Sequence, residues 1–139
     1  MLRRVLAFIA GLITFAVIVT LVQLISGLIF GMPSPDTVGN SEKMARFVAA
    51  MSVGGFVGLL ISYIVGSFVA GFAMRAISRS DSLILPSIIG LIGTIGWAYN
   101  TMQISHPTWV TILGYLCYVP FASLGYRAAA GVSRGSTTV

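Results

Sequence analysis

Asn100, Gln103 and His106 stand at steps of three within the stretch WAYNTMQISHPTW, 97–109, between long apolar runs. Amide and imidazole groups in that arrangement can bridge helices, line a polar pocket, or bind a metal. If a helix continues through them, steps of three hold the side chains within about a 120° sector. Gln23, toward the far end of the first apolar run, falls at the same level and completes the set. Trp97, Tyr99 and Trp109 would be its walls. His106 is the single histidine, and metal sites gather several His, Cys or carboxylate donors, so no metal is expected. Cys117 is the single cysteine, set in an apolar run away from any carboxylate that could orient an imidazole, and reads as a small packing residue. These residues suit binding rather than bond-making, and no catalytic residue, cofactor or enzymatic activity is expected.

The elements that must position them are dictated by composition. The chain is 57% hydrophobic and 8% charged, with a mean hydropathy of +0.99. Soluble domains carry about 25% charged residues, so this chain belongs in lipid. Its 139 residues leave room for one domain and no separate soluble module. A net charge of +5 does not imply nucleic acid. The basic residues come in ones and twos beside apolar segments, the pattern that orients membrane helices rather than a dense binding stripe.

A bilayer core about 30 Å thick takes about 20 helical residues to cross. Four segments qualify, at about 5–30, 47–74, 83–104 and 109–126, making residues 1–130 a transmembrane domain and 131–139 a short polar tail. The start MLRR resembles a signal peptide, but the apolar run outlasts the usual ~7–15 residues and no A-x-A site follows, so an uncleaved anchor is expected. GMPSPDTVGNSEK carries turn chemistry, with Asn40 or Ser41 to cap the next helix and Glu42 near its positive end. Asp81-Ser82 opens the third span, with Pro86 in its first turns. Pro107 disfavours helix in the residue before it, so Ser105-His106 is expected to turn a tight corner. Pro120 should kink the fourth span.

This topology puts Arg3, Arg4, Arg75, Arg79, Arg127 and Arg134 on one side and Lys43 and Arg46 on the other. The majority side is expected to be cytoplasmic. The fold class is thus all-α, a four-helix transmembrane bundle with both termini cytoplasmic, multi-pass in a bacterial inner membrane. Trp109 fits the outer aromatic belt and Tyr126 the inner one.

Helices in lipid associate through close backbone approach and hydrogen bonds. Ala50, Gly54, Gly58, Ser62, Gly66 and Ala70 recur every fourth position, which predicts that the second span is central. Ser87, Gly90, Gly93 and Gly96 recur every third position in the third span, and Gly114 and Gly125 lie in the fourth; these are expected to nest against the second. A glycine-lined pore or dimer seam competes with ordinary packing within the chain. Gln23 with Asn100 or Gln103 reads as an interhelical hydrogen bond, or together with His106 as an outward polar pocket.

No Asp, Glu, Lys or Arg is expected deep in a span, whereas ion-coupled carriers need such a group. The chain accordingly does not resemble the small multidrug resistance transporters, whose first helix carries a glutamate. Its segments MLRRVLAFIAGL, GSFVAGFAMRAI and SHPTWVTILGYLCYVPFASLGYRAA resemble a family of small uncharacterised four-span bacterial membrane proteins. The resemblance covers nearly the whole chain and implies a four-span fold, with no activity or functional residue attached. The function expected is a non-catalytic accessory, scaffold or partner-binding role, with membrane lipid around it and a membrane-protein partner or second copy docked on it. The alternative is a small channel or uncoupled carrier for a neutral or weakly polar solute.

Overall fold

The computed structural model describes residues 1–135, and these form six helices with no strand among them. They are α1 (Leu2–Phe30), α2 (Ser41–Ala49), α3 (Val53–Ser78), α4 (Ile84–Gln103), α5 (Thr108–Leu116) and α6 (Val119–Gly135). Leu2–Phe30, Val53–Ser78 and Thr108–Val132, the last combining α5 with most of α6, are long and apolar enough to cross a bilayer. They mark the chain as a membrane protein. Only 11% of the apolar window of α1 is buried, so most of its surface is left for lipid. The 20 residues of α4, with Pro86, glycines and Asn100 among the isoleucines, are not among the helices that qualify.

The expected second span, 47–74, is two helices. Asn40 caps α2, its side-chain oxygen accepting from the Lys43 amide at 3.0 Å. The helix then stops at Ala49, and Ser52 caps α3 by accepting from the Gly55 amide at 3.2 Å. A serine before a glycine pair offers the backbone a fresh start, and it prevails over the unbroken apolar run. The detached α2 is two-faced: Ser41, Glu42, Lys43 and Arg46 are exposed, while Val48 is buried and Met44 and Phe47 half-buried. Pro120 lacks the amide that would continue α5, so the chain breaks after Leu116 and resumes at Val119 with the proline in the first turn of α6. α6 carries helix through 131–135, part of the stretch expected to be a polar tail; residues 136–139 lie outside those described.

α3 touches α1, α4, α5 and α6. Gly54, Gly58 and Gly66 approach Phe30, Ser26 and Val19 of α1. The next position, Ala70, is fully buried. Ala50 does not share this seam, because it lies exposed at the end of α2. Gly71 faces the Ala122 carbonyl and Gly125 the Phe68 carbonyl, so α3 and α6 meet backbone to backbone. The glycines of α4 do not turn to α3. Gly90 packs on Val119, Gly93 on the Tyr118 ring, and Gly96 meets nothing within 4 Å. The break at 117–118 brings that junction against α4, where Val119 and Tyr118 cover Gly90 and Gly93.

Candidate functional site

A groove of about 420 Å³ opens at the end of the bundle where α1 finishes and α4 turns into α5. Gln23, Leu24 and Gly27 of α1 form one wall, Phe56, Leu59 and Tyr63 of α3 the floor, Asn100 and Ile104 the other wall, and Met44, Phe47 and Val48 of α2 the roof. Thr20 and Leu24 line it and are exposed, so the groove opens sideways along α1. Thr20 lies ten residues back from Phe30, a depth of about 15 Å at the helical rise. Three methionines from separate segments converge here, Met32 beyond α1, Met44 on α2 and Met51 between α2 and α3. No charged side chain lines the groove.

Gln23, Asn100 and His106 therefore share one cavity, and Gln103 does not. Helix ends at Gln103, where Ile104 is extended at φ −133° and ψ 122°, so the sector expected from continued helix is lost. Gln103 is left exposed. The corner instead folds His106 back over the bundle, its ring 4.9 Å from that of Trp97 and 6.4 Å from that of Phe56. The His106 Nδ1–H donates to the Ile104 carbonyl at 2.8 Å, which fixes the neutral tautomer, since a carbonyl only accepts. Burial holds the His106 pKa below its ordinary value, outweighing that hydrogen bond. Gln23 Nε2 donates to Ser62 Oγ at 3.3 Å, and Ser62 donates to the Leu59 carbonyl at 2.6 Å. The Asn100 amide has no hydrogen-bond partner among the described residues.

The aromatic walls fall differently from expectation. Trp97 is 2% exposed and lies in the core, its indole donating to the Thr111 carbonyl at 3.0 Å. Tyr99 is exposed and away from the groove, and Trp109 sets its edge against Phe56 at 6.2 Å. Below the groove Phe15, Tyr63, Trp97 and Tyr118 form a continuous aromatic layer. Tyr63 stands 5.6 Å from Trp97 and 5.2 Å from Tyr118, and Phe15 stands 6.0 Å from Tyr118. α1, α3, α4 and the α5–α6 junction each contribute one ring, and the layer closes the floor.

The opposite end holds a feature the sequence reading missed. Arg75, expected only as one of the basic residues on the cytoplasmic side, is buried with a side chain 10% exposed, paired to Asp81 at 2.8 Å and 5.7 Å from the centroid of the Tyr126 ring. Tyr126 is 2% exposed rather than in an interfacial belt. Its hydroxyl donates to the Ser80 carbonyl at 2.6 Å, and this tie to the α3–α4 loop takes it inward. Among the described residues no group of three His, Cys, Asp or Glu gathers as a metal site requires.

No family model matches the chain, and neither does any curated protein or solved structure.

Proposed function

We propose that this chain is a non-catalytic accessory protein of a bacterial inner membrane, crossing it four times with both termini cytoplasmic, and that its groove receives an apolar segment of a membrane-protein partner. The uncharged, methionine-roofed groove carries this reading. Methionine is unbranched and polarizable and repacks around varied apolar guests, which is why it is favoured at adaptable binding surfaces. A volume of about 420 Å³ falls within the range of ligand cavities. It suits one or two large anchoring side chains better than a whole helix. Gln23, Asn100 and neutral His106 add hydrogen-bonding points that fix a guest without demanding charge.

The fourth crossing rests on α4. Ile84, Ile88, Leu91, Ile95, Tyr99 and Met102 are all exposed and follow helical spacing from one end to the other. A stripe of that length and apolarity has no place in water.

Transport of a small neutral solute is the competing function, and the unpartnered Asn100 amide favours it. Against it stands the aromatic layer, which ends the groove about midway through the bundle.

A photoreactive side chain introduced at Met51 tests the leading reading in native membranes. Crosslinks to one membrane protein from Met51, and none from lipid-facing Ile13, are expected. Lipid adducts alone at both positions would refute it. Flux of neutral solutes into proteoliposomes, abolished by Asn100→Leu, would transfer the case to transport.

A further inference from the structure

We propose that the pocket beside Arg75 binds a phosphate oxyanion, carried either by the headgroup of an anionic phospholipid or as free phosphate. The proposal is independent of the groove at the other end.

Arg75 sits in the last turn of α3, nine-tenths buried. Its Nη2 donates to Asp81 Oδ1. Its buried Nη1 has no hydrogen-bond partner among the described residues. A guanidinium offers five N–H donors and cannot shed its charge, so a buried one needs acceptors on more than one edge. Asp81 satisfies one edge, and its carboxylate is 77% exposed, where water screens its charge.

A pocket of about 190 Å³ adjoins this arginine, lined also by Asp81, Leu83, Tyr126, Arg127 and Ala130. One water claims about 30 Å³, so the space is that of several waters. Two guanidinium groups against one carboxylate leave the pocket positive, and a guanidinium fork matches phosphate oxygens two at a time. Leu83 and Ala130 give it an apolar flank, as a headgroup continuing into acyl chains requires. Tyr126 braces the shape: besides its bond to Ser80, its hydroxyl meets Ser78 Oγ at 2.9 Å. The loop is thereby held without using the spare donor of Arg75.

The setting agrees. Phe8 of α1 packs against the cluster of Met74, Ile89 and Tyr126 at this end, about one turn along the helix from Arg3 and Arg4, and Arg79 closes α3. At the other end Lys43 and Arg46 are paired with Asp36 and Glu42. Basic pockets between transmembrane helices recognise anionic headgroups in this way.

The full chain in neutral detergent is titrated separately with phosphatidylglycerol, phosphatidylcholine and inorganic phosphate, following thermal unfolding and bound lipid by native mass spectrometry. Saturable stabilisation and retention of one phosphatidylglycerol are expected, with no effect of phosphatidylcholine. Loss of a charge-assisted contact in Arg127→Gln should weaken this by about tenfold or more. Arg75→Lys, which keeps the charge and loses the fork, should weaken it too, while Lys43→Gln, paired with Asp36 at the opposite end, should not. Stabilisation by phosphate that competes with the lipid assigns the site to free phosphate, and response to phosphatidylglycerol alone assigns it to lipid. Equal response to both lipids with none to phosphate overturns the proposal, as does wild-type binding by Arg127→Gln. Because Arg127 is exposed, that variant decides the matter even if Arg75→Lys does not fold.

Discussion

Gln23 on α1 and Ser62 on α3 are joined by a hydrogen bond across 3.3 Å, with the serine side chain fully buried and its own proton given to Leu59. Interhelical hydrogen bonds in lipid contribute about 0.6–2 kcal/mol. Gln23 also lines the groove, where water can replace its partner, so the lower part of that range applies. A double-mutant cycle of Gln23→Leu and Ser62→Ala, read by detergent unfolding, should give a coupling of about 0.5–1 kcal/mol. Additive single effects would show that the two side chains merely lie near one another.

The α3–α6 seam should be far less forgiving. A Cβ on Gly71 would run into the Ala122 carbonyl, and one on Gly125 into the Phe68 carbonyl, both backbone atoms that cannot rotate away. Gly71→Ala and Gly125→Ala should each cost about 1–3 kcal/mol or more through forced separation of the helices. Gly96→Ala meets nothing within 4 Å and should instead gain up to about 1 kcal/mol from helix propensity. Unfolding midpoints of the three variants check the ordering. A loss at Gly96 equal to that at Gly71 would mean α4 packs through a face that is open here.

The same contrast shows what the sequence can and cannot reveal. Small residues every fourth position marked α3 as a helix built for close approach, because spacing on one helix is a local property, but that spacing did not say that α1 would be the neighbour of Gly54, Gly58 and Gly66. Which neighbour the glycines of α4 would meet depended on the break at 117–118, and no pattern within α4 encodes that. Gln23, Asn100 and His106 were legible as polar interruptions in apolar runs. Gln103 looked equivalent and diverged because one extended residue, Ile104, ends the helical phase on which the grouping relied. The start of α3 left a signal in the Ser52-Val53-Gly54-Gly55 stretch, masked by the apolarity around it. Burial of Arg75 left none, since an arginine at a helix end is ordinarily solvated, and only the fold brings Tyr126 over it.

His106 should make the groove end sensitive to acid. Its pKa is held below the ordinary 6.5 chiefly by burial, with the Ile104 carbonyl acting weakly in the opposite sense. The folded chain thus favours the neutral ring, and below about pH 6.5 the unfolded chain binds the proton more readily. The resulting stabilisation is fully present above pH 6.5 and is lost as pH falls through the depressed folded value. Unfolding midpoints between pH 5 and 8 should therefore decline on the acid side in the wild type and more weakly in His106→Asn. Parallel curves for the two proteins would place the acid response elsewhere.

The four-span reading makes its sharpest prediction at the two ends of α4. Ser80 precedes the helix and is half-buried, and Ser105 follows it and is exposed. A crossing of 20 residues at the helical rise spans about 30 Å, the thickness of the hydrocarbon core. Replacing the buried thiol by Cys117→Ala and introducing Ser105→Cys should give a protein that an impermeant maleimide labels in intact cells. Ser80→Cys should be silent until the cytoplasmic face is opened, even after mild denaturation outside removes any shielding by the loop. On the proposed topology the arginines at the Ser80 end make that side the cytoplasmic one. Labelling of both cysteines from outside would return α4 to the surface of a three-span protein, with its exposed isoleucine stripe left for a partner to cover.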